Sequence, residues 1–128
     1  MEIMSPDLYR RLTMAGAEVL TNSLSQSWFH GSTIMDTYTM SLAKVRAAEN
    51  GRYLVIAGNE FRSTVISDTG RVVTRDYGND FSVMWADVPL YKEKTPFVRF
   101  GMFVLLLPFL YVGACLGMRA RHYLHSSR

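Results

Sequence analysis

Residues 33–59 read TIMDTYTMSLAKVRAAENGRYLVIAGN, and the fold turns on them. Met35, Tyr38, Leu42 and Val45, with Ile34 beside them, recur at spacings of three and four, the period of one helix face. Glu49-Asn50-Gly51 stops that helix, because glycine takes the left-handed conformation that closes a helix. Tyr53-Leu54-Val55-Ile56-Ala57 follows as an unbroken apolar run of strand length, which predicts a strand interior to a layered sheet. A helix packed on a buried strand is a fold core. The rest of the chain is placed relative to it.

Toward the N-terminus, Ser5-Pro6-Asp7 opens a helix with a serine cap, a proline at the first helical position and an acid in the first turn. Leu8, Leu12 and Met14-Ala15 are expected to supply its buried face, Arg10 and Arg11 its solvated one, and Gly16 its end. Glu18 to Asn22 reads as a strand, followed by a loop over 23–32 that carries Trp28, Phe29, His30 and Gly31. Toward the C-terminus, Ser63–Ser67 and Arg71–Thr74 flank Asp68-Thr69-Gly70, the signal of a hairpin. Phe81 to Val88 alternates enough to predict another strand, and Pro89 and Pro96 punctuate a connector. Helices alternating with strands, then strands joined by a hairpin, predict a layered α/β domain with a mixed sheet.

At 128 residues the chain has room for one domain with a modest core. The formal charge of +3 is mild and its basic residues are scattered among acids, so nothing points to nucleic acid. The one cysteine, Cys115, excludes a disulfide or zinc framework and reads as a small apolar side chain. From Phe100 to Met118 no residue is charged. A helix over that run spans roughly 28 Å, close to the thickness of bilayer hydrocarbon, and predicts a transmembrane helix over 97–118. Lys92, Lys94 and Arg99 before it balance Arg119, Arg121 and Arg128 after it, so charge leaves the orientation open, with His122 and His125 tilting slightly toward a cytoplasmic tail. Met1 to Asp7 has neither the basic nor the apolar part of a cleavable signal. The expected layout is the α/β portion over 1–96, the membrane helix over 97–118 and a basic tail over 119–128.

Four stretches of the chain carry a resemblance. GAEVLTNSLSQSWFHGS (16–32), KVRAAENGRYLVIAGN (44–59), STVISDTGRVV (63–73) and ADVPLYKEKTPFVRFG (86–101) come in the order found in the C-terminal part of apolipoprotein N-acyltransferases, a branch of the nitrilase or carbon–nitrogen hydrolase superfamily. The resemblance covers Glu2 to Met118, and implies the C-terminal part of a nitrilase-like α–β layered domain with a mixed sheet. It implies transfer of an acyl chain from a phospholipid donor to the N-terminal amine of a bacterial lipoprotein, through a Glu–Lys–Cys triad and a thioester. A thiolate is a strong nucleophile, and splitting acyl transfer into two steps makes it feasible. No cofactor or metal is implied.

The resemblance also sets the expected location and roles. The location is the bacterial inner membrane, with a periplasmic domain and a cytoplasmic tail. In the family motif Cys-Tyr-Glu, Glu2 matches the glutamate, a supporting carboxylate, and Met1 falls on the tyrosine, so the triad is expected upstream of residue 1. The chain alone is then expected to be inactive, either as a truncated gene product or with its N-terminal portion separately encoded. Departures stand where the family has Ser-Asn-Asp-Ala before Trp-Phe-Gly, here Leu24-Ser25-Gln26-Ser27, and where it has Asn-Thr-Gly-Ile-Ser, here Asn59 to Ser63.

Trp28 and Phe29 are expected either to line an acyl-chain pocket or to be loop aromatics pinned to the core. Glu49 and Arg52 are expected to form a structural ion pair near the site, Lys44 and Arg46 a solvated face, and His30 an exposed side chain. Trp85 and Tyr91 read as packing or membrane-interface anchors. A second class stays open, a non-catalytic, membrane-anchored nitrilase-like remnant or interaction module.

Overall fold

A computed structural model describes residues 3, 5–25, 27–29, 32–59, 61–76, 83–106, 108–113, 115, 116 and 118. Helix α1 (Pro6–Met14) leads to strand β1 (Val19–Ser25), a 3₁₀ turn (Ser27–Phe29), helix α2 (Thr33–Asn50) and strand β2 (Tyr53–Asn59). Strands β3 (Thr64–Ile66) and β4 (Val72–Arg75) form the hairpin, and helix α3 (Pro96–Phe100) runs into a 3₁₀ segment (Gly101–Leu105). The sheet order is β1-β2-β3-β4. β1 lies parallel to β2, from Val19 beside Tyr53 to Ser25 beside Asn59. β2 with β3 and β3 with β4 are antiparallel. This is the mixed sheet of an α/β domain, with β2 interior because it is paired on both sides.

One sheet face carries the core, while on the other Val65 of β3 is buried and Tyr53 of β2 stacks on Tyr91. Leu20 and Leu24 of β1, Leu54 and Ile56 of β2 and Ile66 of β3 pack against Tyr9 of α1 and Met40, Ala43 and Ala47 of α2. Thr21, Ser23, Ser25 and Ala57 point the other way and are exposed. The apolar run in β2 therefore alternates, with Leu54 and Ile56 buried and Val55 only half-buried.

Both helices turn inward a face other than the one most of their large apolar residues suggest, although Leu42 of α2 packs against the core. α2 buries Thr39, Met40, Ala43, Arg46, Ala47 and Asn50, while Ile34 is 80% exposed and Tyr38 and Val45 are exposed. The helical period is as expected and its phase is rotated. Alanines at 43 and 47 let the helix axis approach the sheet closely, which a face of Tyr38 and Val45 does not allow. α1 likewise buries Tyr9 and Thr13 and leaves Leu8, Leu12 and Met14 exposed. A polar network selects that face. Asn22 Nδ2 donates to Tyr9 Oη at 2.6 Å, and Thr13 Oγ1 lies 3.0 Å from Tyr9 O and 3.2 Å from Asn50 Oδ1. Asn50 Nδ2 in turn donates to Arg46 O at 2.8 Å. Left unpaired, such buried groups would each cost about 1–3 kcal/mol, so the network outweighs the partial burial of a leucine.

The link between α2 and β2 is a tie point. Gly51 caps α2 at φ 58°, and a Cβ there would stand 2.8 Å from Thr95 Cγ2. Arg52, 2% exposed, donates from Nε to Ala17 O at 2.9 Å and from Nη1 to Gly51 O at 2.9 Å and Glu93 O at 2.7 Å. Thr95 caps α3, accepting from Val98 N at 3.2 Å, and its hydroxyl donates to Glu49 O. Val98 of α3 is fully buried.

Two expected elements are not found. Residues 83–88 form no strand, and Val83 and Trp85 are 64% and 88% exposed with no sheet neighbour; Phe81 and Ser82 lie outside the described residues. Among the described residues, no helix is long and apolar enough to cross a membrane, which overturns the transmembrane helix expected over 97–118. The uncharged run is not one helix. α3 stops at Phe100, Gly101 turns to φ 60° and ψ −141°, and a 3₁₀ segment follows to Leu105. The described helical residues beyond it lie between Leu106 and Met118, about 20 Å of α-helix against the roughly 30 Å a bilayer needs. The expected tail over 119–128 lies outside the described residues.

Replacing Arg52 by alanine strands three backbone carbonyls and opens a void, and is expected to destabilise the chain by about 2–4 kcal/mol in urea denaturation. Arg52→Lys should recover only part of that, because an ammonium does not reproduce the planar fork. A loss within about 0.5 kcal/mol for Arg52→Ala would show that the tie is dispensable.

Candidate functional site

In a sheet with parallel strands, binding chemistry gathers where those strands end, because their loops and the next helix start meet there. Here that edge is set by Ser25 beside Asn59. After β1, Ser25 Oγ lies 2.8 Å from Ser27 Oγ, and Ser32 N donates to Phe29 O at 3.0 Å, which folds 27–29 back before α2 begins. Trp28 on this turn is 87% exposed and Phe29 is 39% exposed, so neither is pinned to the core.

After β2 the chain reverses tightly. Gly58 N donates to Ser63 Oγ at 3.1 Å, and a Cβ on Gly58 would sit 2.1 Å from Phe61 O, a contact only glycine avoids. Phe61 is buried and anchors this turn in the core, while Arg62 is exposed. Asp76 N donates to Ser63 O at 2.9 Å, bringing the end of β4 and Arg75 to the same edge.

Between these pieces and the first half of α2 lies a cavity of about 380 Å³, lined among others by Asp36, Thr37, Ser41, Lys44, Arg62 and Arg75. Oδ1 of Asp36 and Nε of Arg75 are buried and have no hydrogen-bond partner. The sequence reading missed this group. Its one linear signal is the stripe Thr33, Thr37, Ser41 and Lys44, polar residues one helical turn apart beside an apolar face.

Glu49 and Arg52 sit at the opposite edge, before β2 begins, about 20 Å from Asn59 along a seven-residue strand. They do not pair with each other. Glu49 pairs with Arg46, whose side chain is 9% exposed and not on a solvated face, and among the described residues Arg52 bonds carbonyls. Burial pushes the Glu49 carboxyl above its ordinary value, against the opposing pull of Arg46. Lys44 is exposed as expected. Glu2 and His30 lie outside the described residues. Cys115 is a half-buried free thiol on the helical stretch beyond α3.

Residues 1–92 match the family model described as carbon-nitrogen hydrolase. The apolipoprotein N-acyltransferase of Shewanella oneidensis is 29% identical over 106 residues, 83% of this chain and 20% of that protein. That of Rickettsia typhi is 29% identical over 98 residues, covering 75% and 19%. That of Pseudomonas paraeruginosa is 27% identical over 122 residues, covering 94% and 24%. The chain thus spans about a fifth to a quarter of the curated relatives it matches.

Glu49 gives a signed pH dependence. Its folded-state pKa lies above the ordinary 4.5, so its contribution is full below that value and is lost as pH rises through the raised one. Glu49→Gln removes this titration. The stability of the natural chain minus that of the variant should fall as pH is raised from about 4 to 7, read from urea midpoints. A difference that rises instead would mean that Arg46 outweighs burial.

Proposed function

The chain belongs to the carbon-nitrogen hydrolase family, and on that premise we propose that it is part of an acyltransferase acting on bacterial lipoproteins. The observation that carries this reading is the family match over residues 1–92 joined to relatives that are named apolipoprotein N-acyltransferases. The reaction moves an acyl chain from a phospholipid to the N-terminal amine of the lipoprotein. A thiolate attacks the ester carbonyl, the lysophospholipid leaves with a proton, and the amine then takes the acyl group from the thioester. The glutamate and lysine of the triad manage these protons.

The chain contributes the edge where β1 and β2 end. Trp28 and Phe29, exposed on the turn after β1, present apolar surface to the acyl chain. Glu2 is the carboxylate beside the nucleophile. The nucleophile itself is supplied from outside these residues, since the sequence holds one cysteine and Cys115 follows α3. The protein works at the bacterial inner membrane with this domain on the periplasmic face. The exposed Phe103, Phe109, Leu110 and Tyr111 support contact with lipid.

Purified in detergent with a phospholipid and a diacylated lipopeptide, the 128-residue chain alone is expected to give no transfer above background. Coexpression with the polypeptide encoded directly upstream, which should carry an in-frame Cys-Tyr pair, is expected to give transfer through a hydroxylamine-labile acyl-enzyme. In that preparation Trp28→Ala should raise KM for the phospholipid about tenfold, worth about 1.4 kcal/mol of binding. Transfer by the chain alone would sink the external nucleophile, and no transfer from the pair would sink the acyltransferase reading.

A further inference from the structure

We draw no further inference here: the strongest candidate, the outward face of α2 on which Ile34, Tyr38 and Val45 are exposed, carries none because nothing in the structure shows what covers it.

Discussion

A guanidinium buried against backbone carbonyls is the constraint on which the rest depends. Arg52 is 2% exposed and is answered by the carbonyls of Ala17, Gly51 and Glu93. Desolvating a cation is expensive unless its donors are met, so those three carbonyls must stay where they are. Ala17 precedes β1, Gly51 closes α2, and Glu93 belongs to the connector that leads into α3. One side chain thus fixes the start of β1, the turn into β2 and the return of the chain under α3. The hydroxyl of Thr95 on Glu49 O closes the same junction from the other side.

With that edge locked, the opposite edge is left with the exposed turns. The parallel pair β1 and β2 runs from the Arg52 junction to Ser25 and Asn59, and the turns beyond them carry the exposed Trp28 and the charged cavity. The polar network of Tyr9, Asn22, Thr13 and Asn50 keeps α1, β1 and α2 in one register, so the first half of α2 stands at a fixed height above that edge. The other sheet face is mixed, with Thr21, Ser23, Ser25 and Ala57 exposed, Tyr53 and Val55 half-buried and Val65 buried.

Much of this was legible in the residues. The caps at Ser5 and Gly51, the hairpin around Asp68-Thr69-Gly70 and the order of helices and strands as far as β4 depend on contacts within a few positions, and the structure has them. What local pattern misread was direction. Leu8, Leu12, Tyr38 and Val45 have the composition of a buried face, yet the network around Tyr9 and the small Ala43 and Ala47 turn both helices the other way. The uncharged run from Phe100 to Met118 has the length of a membrane span, yet Gly101 and the 3₁₀ segment break its helix. Arg46 and Glu49 pair along the helix, where the spacing of Glu49 and Arg52 had suggested another couple.

The sequence by itself determined the α/β class, the carbon-nitrogen hydrolase family and the boundaries of α1, α2 and β2, because caps, periods and motifs are local or linear properties. Only the tertiary structure decided which helix faces are inside, that Arg52 is satisfied by carbonyls, and that Glu49 and Arg52 lie at the edge away from Trp28. It alone brings Asp36 and Lys44 of α2 to Arg62 and Arg75 around one cavity. The reason is physical. Burial and hydrogen-bond satisfaction are settled between segments distant in sequence, by groups whose partners no local spacing records.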